Sequence, residues 1–70
     1  MSQQSPLTRQ RLRAGLSKAE LARRAGVDET TVTRAETGQR VQAHKASLIA
    51  QAISQAVGQE FSVEDLGTVT

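Results

Sequence analysis

The sequence predicts a compact all-α domain of five short helices, and three observations carry that expectation. First, the chain has 70 residues and no cysteine, so neither a disulfide framework nor a zinc knuckle can staple it. A core that small has to come from efficient local packing, which favours helices. Second, the alphabet is helical. Ten alanines and six leucines stand against two isoleucines, one proline and one aromatic residue, Phe61. Third, apolar residues recur at helical spacing in short blocks, and Gly15, Gly26, Gly38 and Gly58 each close one.

Residues 1–5 are polar and are expected to fray, with Ser5 as the N-cap of the first helix and Pro6 at its first position. That helix is expected over 6–14, with Leu7, Arg11 and Ala14 on one face and Arg9 and Arg13 toward solvent. The second, about eight residues long, starts after Ser17. Ser17 and Glu20 have the spacing of a capping box, and Leu21, Ala22 and Ala25 form the inner stripe. Asp28 caps the third helix, expected over 29–37, whose apolar content is only Val32 and Ala35. Its threonines give it poor intrinsic propensity, so its exposed side is the reason to keep it.

Residues 39–43 read as a loop. The fourth helix, from 44 or 45 to 57, has the clearest amphipathic pattern: Ile49, Ala52, Ile53, Ala56 and Val57. A fifth short helix is expected from Ser62 to Leu66, with Phe61 stapling its start. The domain therefore spans 6–66, and 67–70 is a C-terminal tail.

Several function classes fall away. No apolar run approaches the ~20 residues of a membrane span. The first residues lack the basic and apolar regions of a signal peptide, so a cytoplasmic, nucleoid-associated protein is expected. His44 is the only histidine, and a core this small builds no water-excluding cleft, so no enzyme, cofactor, metal or small-molecule ligand is expected. Charge is more informative. Residues 1–45 hold all nine lysines and arginines and four acids, a net +5, whereas residues 46–70 hold three acids and no base. A cationic half on a small surface suits a polyanionic partner, although charge alone fits a solvated surface equally well.

The segment 18–39 has a particular shape. A short helix ends at Gly26, Val27 and Asp28 complete a tight turn, and a second short helix begins. Ala22 is small where the two helices would cross, and Val32 and Ala35 would hold the second against the first. The remaining face of the third helix would project, at a width that fits the major groove of DNA.

Leu16-Ser17-Lys18-Ala19-Glu20-Leu21-Ala22, Gly26-Val27-Asp28 and Thr31 to Arg40 together resemble the phage repressor and Cro-like helix-turn-helix family. The likeness extends from Leu7 to Leu66. It implies a lambda-repressor-like domain acting as a DNA-binding transcriptional regulator, bacterial or phage, and more specifically a repressor. It also implies roles. Arg11 and Glu36 would form a partly buried ion pair between the first and third helices. Glu29, Thr30 and Arg34 would occupy the base-reading positions, flanked by Thr31 and Thr33. Lys18 stands where the family usually has glutamine, beside a phosphate. Thr37 replaces a common asparagine at another phosphate contact, and Gln39, Arg40 and Lys45 match the backbone-contacting loop. For Glu29, an acid in the first helical turn, a role at the helix dipole is favoured over acceptance from a cytosine amine. A two-fold dimer is implied, with Phe61, Val63, Leu66 and Val69 as the candidate interface. Two other readings stay open: the DNA-binding antitoxin of a toxin–antitoxin pair, and a protein-interaction module on the same fold.

Overall fold

The computed structural model describes residues 4–70. Four α-helices follow one another: α1 Pro6–Arg13, α2 Lys18–Ala25, α3 Glu29–Glu36 and α4 Ala43–Val57. The expected fifth helix is a single 3-10 turn, Glu64–Leu66, so the five-helix count is corrected to four. Its brevity has a local cause. Gly67 takes a left-handed conformation, φ +69°, directly after Leu66 and ends the turn. Of the N-terminal segment expected to fray, residues 1–3 lie outside the described residues. Ser5 is engaged, its Oγ accepting from the Thr8 N–H at 3.1 Å.

The caps divide into those that form and those that do not. Ser17 Oγ accepts from the Glu20 N–H at 3.0 Å, but the Glu20 carboxylate pairs with Arg23 at 3.1 Å instead of returning to Ser17. Asp28 caps α3 by position only, without a side-chain bond. The reciprocal box is at the 3-10 turn. There the Asp65 N–H donates to Ser62 Oγ at 3.1 Å and the Ser62 N–H donates to Asp65 Oδ2 at 2.9 Å. The Ser62 N–H on the carboxylate, and after it the Ser62 hydroxyl, hold the Asp65 carboxyl below its ordinary range.

Helix α2 packs against both α3 and α4, and α1 closes the bundle over α3 and α4. Leu7, Leu21, Val32, Ile49, Ile53 and Leu66 are fully buried at its centre. Ala22, Ala25, Ala35, Ala46 and Ala50 are buried around them, and their small side chains let short helices approach closely. Leu66 is therefore part of this chain's own core and leaves the candidate dimer surface: a side chain with no exposed area has nothing to offer a second copy.

One polar network crosses this core. Arg11 Nε donates to Glu36 Oε2 at 2.7 Å and Arg11 Nη2 to Glu36 Oε1 at 3.2 Å. The third guanidinium nitrogen, Nη1, donates to the Leu16 carbonyl at 2.9 Å, and the Thr8 hydroxyl donates to Glu36 Oε1 at 2.8 Å. The side chains of Arg11 and Glu36 are only 11% and 5% exposed, so each charge depends on the other for solvation.

The segment set apart as a tail folds back. The Val41 N–H donates to the Val69 carbonyl at 2.8 Å, and Arg40 and Val69 form an isolated parallel bridge. Gly67 lies so close to the Pro6 ring that a Cβ there would stand 3.2 Å from Pro6 Cδ.

Two outcomes follow from these arrangements. Arg11→Ala should cost about 3 kcal/mol by stranding Glu36, and thermal melts of that variant, of Glu36→Ala and of the double variant should show non-additive losses. Because folding lowers the Asp65 carboxyl below its ordinary value of 3.8, the cap's contribution is complete above that value. It is lost as the pH falls through the lowered value, so Asp65→Asn should soften the acid limb of a melting-temperature profile.

Candidate nucleic-acid interface

The turn between α2 and α3 sets the site. Gly26 has φ +75°, and its N–H donates to the Ala22 carbonyl at 2.8 Å. The Val27 N–H donates to the same carbonyl at 3.0 Å, while its side chain packs half-buried against the core. An L-residue at Gly26 would pay for the left-handed conformation, whereas glycine adopts it freely. The chain thus reverses in three residues and delivers α3 across α2.

Helix α3 then has two faces. Thr31, Val32 and Ala35 are buried, and Glu29, Thr30 and Arg34 are exposed, with Thr33 half-buried between them. Thr31, expected to flank the base-reading positions, faces inward instead. It is four residues from Ala35 and shares that buried side of the helix. Glu29 is the first residue of α3 and the only acid in its first turn, a position the helix dipole favours.

Among the residues expected at phosphates, Lys18 opens α2 and is half-buried. Thr37 is already occupied: its hydroxyl donates to the Thr33 carbonyl at 2.9 Å and accepts from Gln39 Nε2 at 3.2 Å. In the free protein its one proton is directed at the helix end, shared between the Thr33 and Arg34 carbonyls. Its work is to close α3. Gln39 is held close by, its N–H donating to the Arg34 carbonyl at 2.9 Å.

Arg40 and Lys45 converge with Arg34. All three line one small cleft with Thr31, Val41 and Gln42, between α3 and the start of α4. No carboxylate lines it. The first turn of α4 contains no acid, and Gln42 makes no side-chain bond to the free N–H groups there. Three cations and an uncapped helix start make the cleft favourable for an anion. Thr31, nine-tenths buried, lines the same cleft. This convergence has no linear signature, because Arg34, Arg40 and Lys45 come from a helix, a loop and a second helix. The one signal was Val41, an apolar residue in a polar loop, which is buried and seats the loop.

The candidate dimer residues are dispersed. Phe61 and Val63 are half-buried and line an open groove with Ala50, Gln51 and Gln55 of α4. Val69 is 44% exposed and lies at the loop that carries Arg40. Among the described residues, no three His, Asp or Glu side chains are grouped as metal ligands would be, and no helix is long and apolar enough to cross a membrane.

A family model described as a helix-turn-helix domain matches residues 6–55, which takes in α1, the α2–turn–α3 unit and most of α4. No curated protein and no solved structure matches the chain.

Proposed function

Because the chain belongs to the helix-turn-helix domain family, we propose that it is a sequence-specific DNA-binding regulator of transcription, acting as a repressor by occupying a promoter. One observation carries this reading. The exposed face of α3 stands beside a cleft lined by Arg34, Arg40 and Lys45, so a helix able to enter a groove adjoins cations able to hold its edge.

In this reading α3 lies in the major groove. Arg34 donates both guanidinium arms to guanine O6 and N7, and Thr30 and Thr33 offer a methyl or a hydroxyl to base edges. Glu29 serves the helix dipole. Lys18, Arg40 and Lys45 neutralise phosphates, Gln39 adds an amide, and the Thr31 hydroxyl faces the anion in the cleft rather than a base. Two copies bind half-sites about one DNA turn apart, ~34 Å. They associate through Phe61, Val63 and the outward side of α4, a surface that carries no lysine or arginine after Lys45.

Phosphate contact and base contact separate experimentally. Lys18→Ala should weaken cognate and scrambled duplexes by a similar factor and reduce the salt slope by roughly one. Arg34→Ala should cost about 1–3 kcal/mol on the cognate site and much less on random DNA. Titrations of both variants at several salt concentrations decide it. Equal losses for Arg34→Ala on both duplexes would assign Arg34 to the phosphate cleft alone, and base reading would pass to Glu29 and the threonines. For the assembly, Val63→Asp should abolish cooperative two-site occupancy. Unchanged sedimentation and cooperativity would place the interface elsewhere.

A further inference from the structure

We infer that the C-terminal segment 67–70 is a positioning element for the DNA-contacting loop between α3 and α4. The inference rests on the functional reading above and assigns a role to residues that make no DNA contact in it.

The loop carries Gln39 and Arg40, both exposed, and it is tied at two points. On the α3 side the Gln39 N–H donates to the Arg34 carbonyl at 2.9 Å. On the α4 side the Val41 N–H donates to the Val69 carbonyl at 2.8 Å. Arg40 sits between these ties, and its own backbone is the bridge partner of Val69. The acceptor that holds the loop thus comes from the far end of the chain.

The segment is itself anchored. Leu66 is fully buried, and the left-handed Gly67 turns the chain with its N–H donating to the Glu64 carbonyl at 3.0 Å. The Thr68 N–H donates to the Val63 carbonyl at 3.3 Å. The Pro6 ring packs against Gly67 so closely that a Cβ there would press on it at 3.2 Å. Val69 is the residue delivered to the loop, yet it is 44% exposed, and its backbone carbonyl is what the loop uses.

A loop that is ordered before binding loses less freedom when it meets a phosphate. Holding Val41 in place also keeps Arg40 and Gln42 at the cleft they share with Arg34 and Lys45. Releasing the segment would therefore weaken the phosphate contacts and leave base discrimination on α3 intact.

The test uses variants of the whole 70-residue chain. Gly67→Ala strains the turn and crowds Pro6; Val69→Gly loosens the segment while Leu66 and the turn stay as they are; Val69→Ile is the conservative control. Amide hydrogen exchange at Val41 and DNA titrations over a salt series are read in parallel, with thermal melts to establish folding. In Val69→Gly, exchange at Val41 should accelerate by about tenfold with little change in the melt. DNA affinity should fall about three- to tenfold on cognate and scrambled duplexes alike, with a salt slope smaller by about one. Val69→Ile should match the wild type on every readout. Unchanged exchange at Val41 overturns the inference, as does faster exchange with unaltered affinity and slope. If the wild-type chain has no salt-dependent DNA affinity, the functional reading fails and the loop's role with it, while Val41 exchange still reports whether the segment holds the loop.

Discussion

The ion pair between Arg11 and Glu36 is the constraint on which the presentation of α3 depends. Helix α3 brings little to the core: Val32, Ala35 and the aliphatic part of Thr31. That is too little apolar surface to fix the rotation of an eight-residue helix by burial alone. The fork of Arg11 grips the carboxylate at the last turn of α3 through two of its nitrogens and spends the third on the Leu16 carbonyl. The hydroxyl of Thr8 fills a further site on Glu36, and Thr8 is hydrogen-bonded in turn to Ser5, the cap of α1. The start of α1, the α1–α2 corner and the end of α3 thus share one polar network. Such a pair adds little net stability, because desolvating two charges offsets most of their attraction. What it contributes is orientation: a guanidinium and a carboxylate meet well in few geometries.

The two ends of α3 are therefore set by different physics. At its start, the left-handed Gly26 and the buried shoulder of Val27 dictate where the chain re-enters the helix. At its end, Glu36 is pinned and Thr37 ties off the free carbonyls. Between them, the outer face packs against nothing, and beyond the dipole role of Glu29 it has no structural duty. Glu29, Thr30 and Arg34 can vary with little effect on the core, which suits a surface whose side chains are chosen for what they meet.

Charge and packing are segregated along the chain. The bases fall before residue 46, on α1 to the start of α4, while the later residues supply Ile49, Ile53 and Leu66 to the core and expose acids. A small domain can hold an anion on one side without accumulating a large total charge, because the field at a cleft depends on local cations and not on the sum. The meeting of Arg34, Arg40 and Lys45 is the sharpest instance. It requires the loop between α3 and α4 to be held, and a buried Val41 side chain and a C-terminal carbonyl hold it.

Much of this was legible in the sequence, because helix ends and helix faces are local properties. Ser5-Pro6, Ser17, Gly26 and Gly58 mark where helices begin and end through bonds to neighbours within a few residues. The spacing of Leu21, Ala22, Val32, Ala35, Ile49 and Ile53 marks the buried faces, since periodicity is a one-dimensional signal of burial. Arg11 was conspicuous as a base on an apolar face, and its partner Glu36 came from the family pattern rather than from spacing. What the sequence could not decide was long-range. The short run after Ser62 has a cap and apolar spacing, so it read as a helix, but the Ser62–Asp65 box and the left-handed Gly67 enclose only one 3-10 turn. Leu66 read as part of a dimer surface because it lies after the fourth helix, away from the basic half, whereas α1 covers it in the fold. The side chain of Thr31 read as outward on residue type, although its place in the helix turns it inward. The docking of Val69 on the loop joins residues 28 positions apart, and the cleft beside that loop gathers Thr31 to Lys45 from two helices and a loop with no shared pattern. Local hydrogen bonding and helical period write the elements into the sequence; closure of the chain on itself decides which of their surfaces remain free.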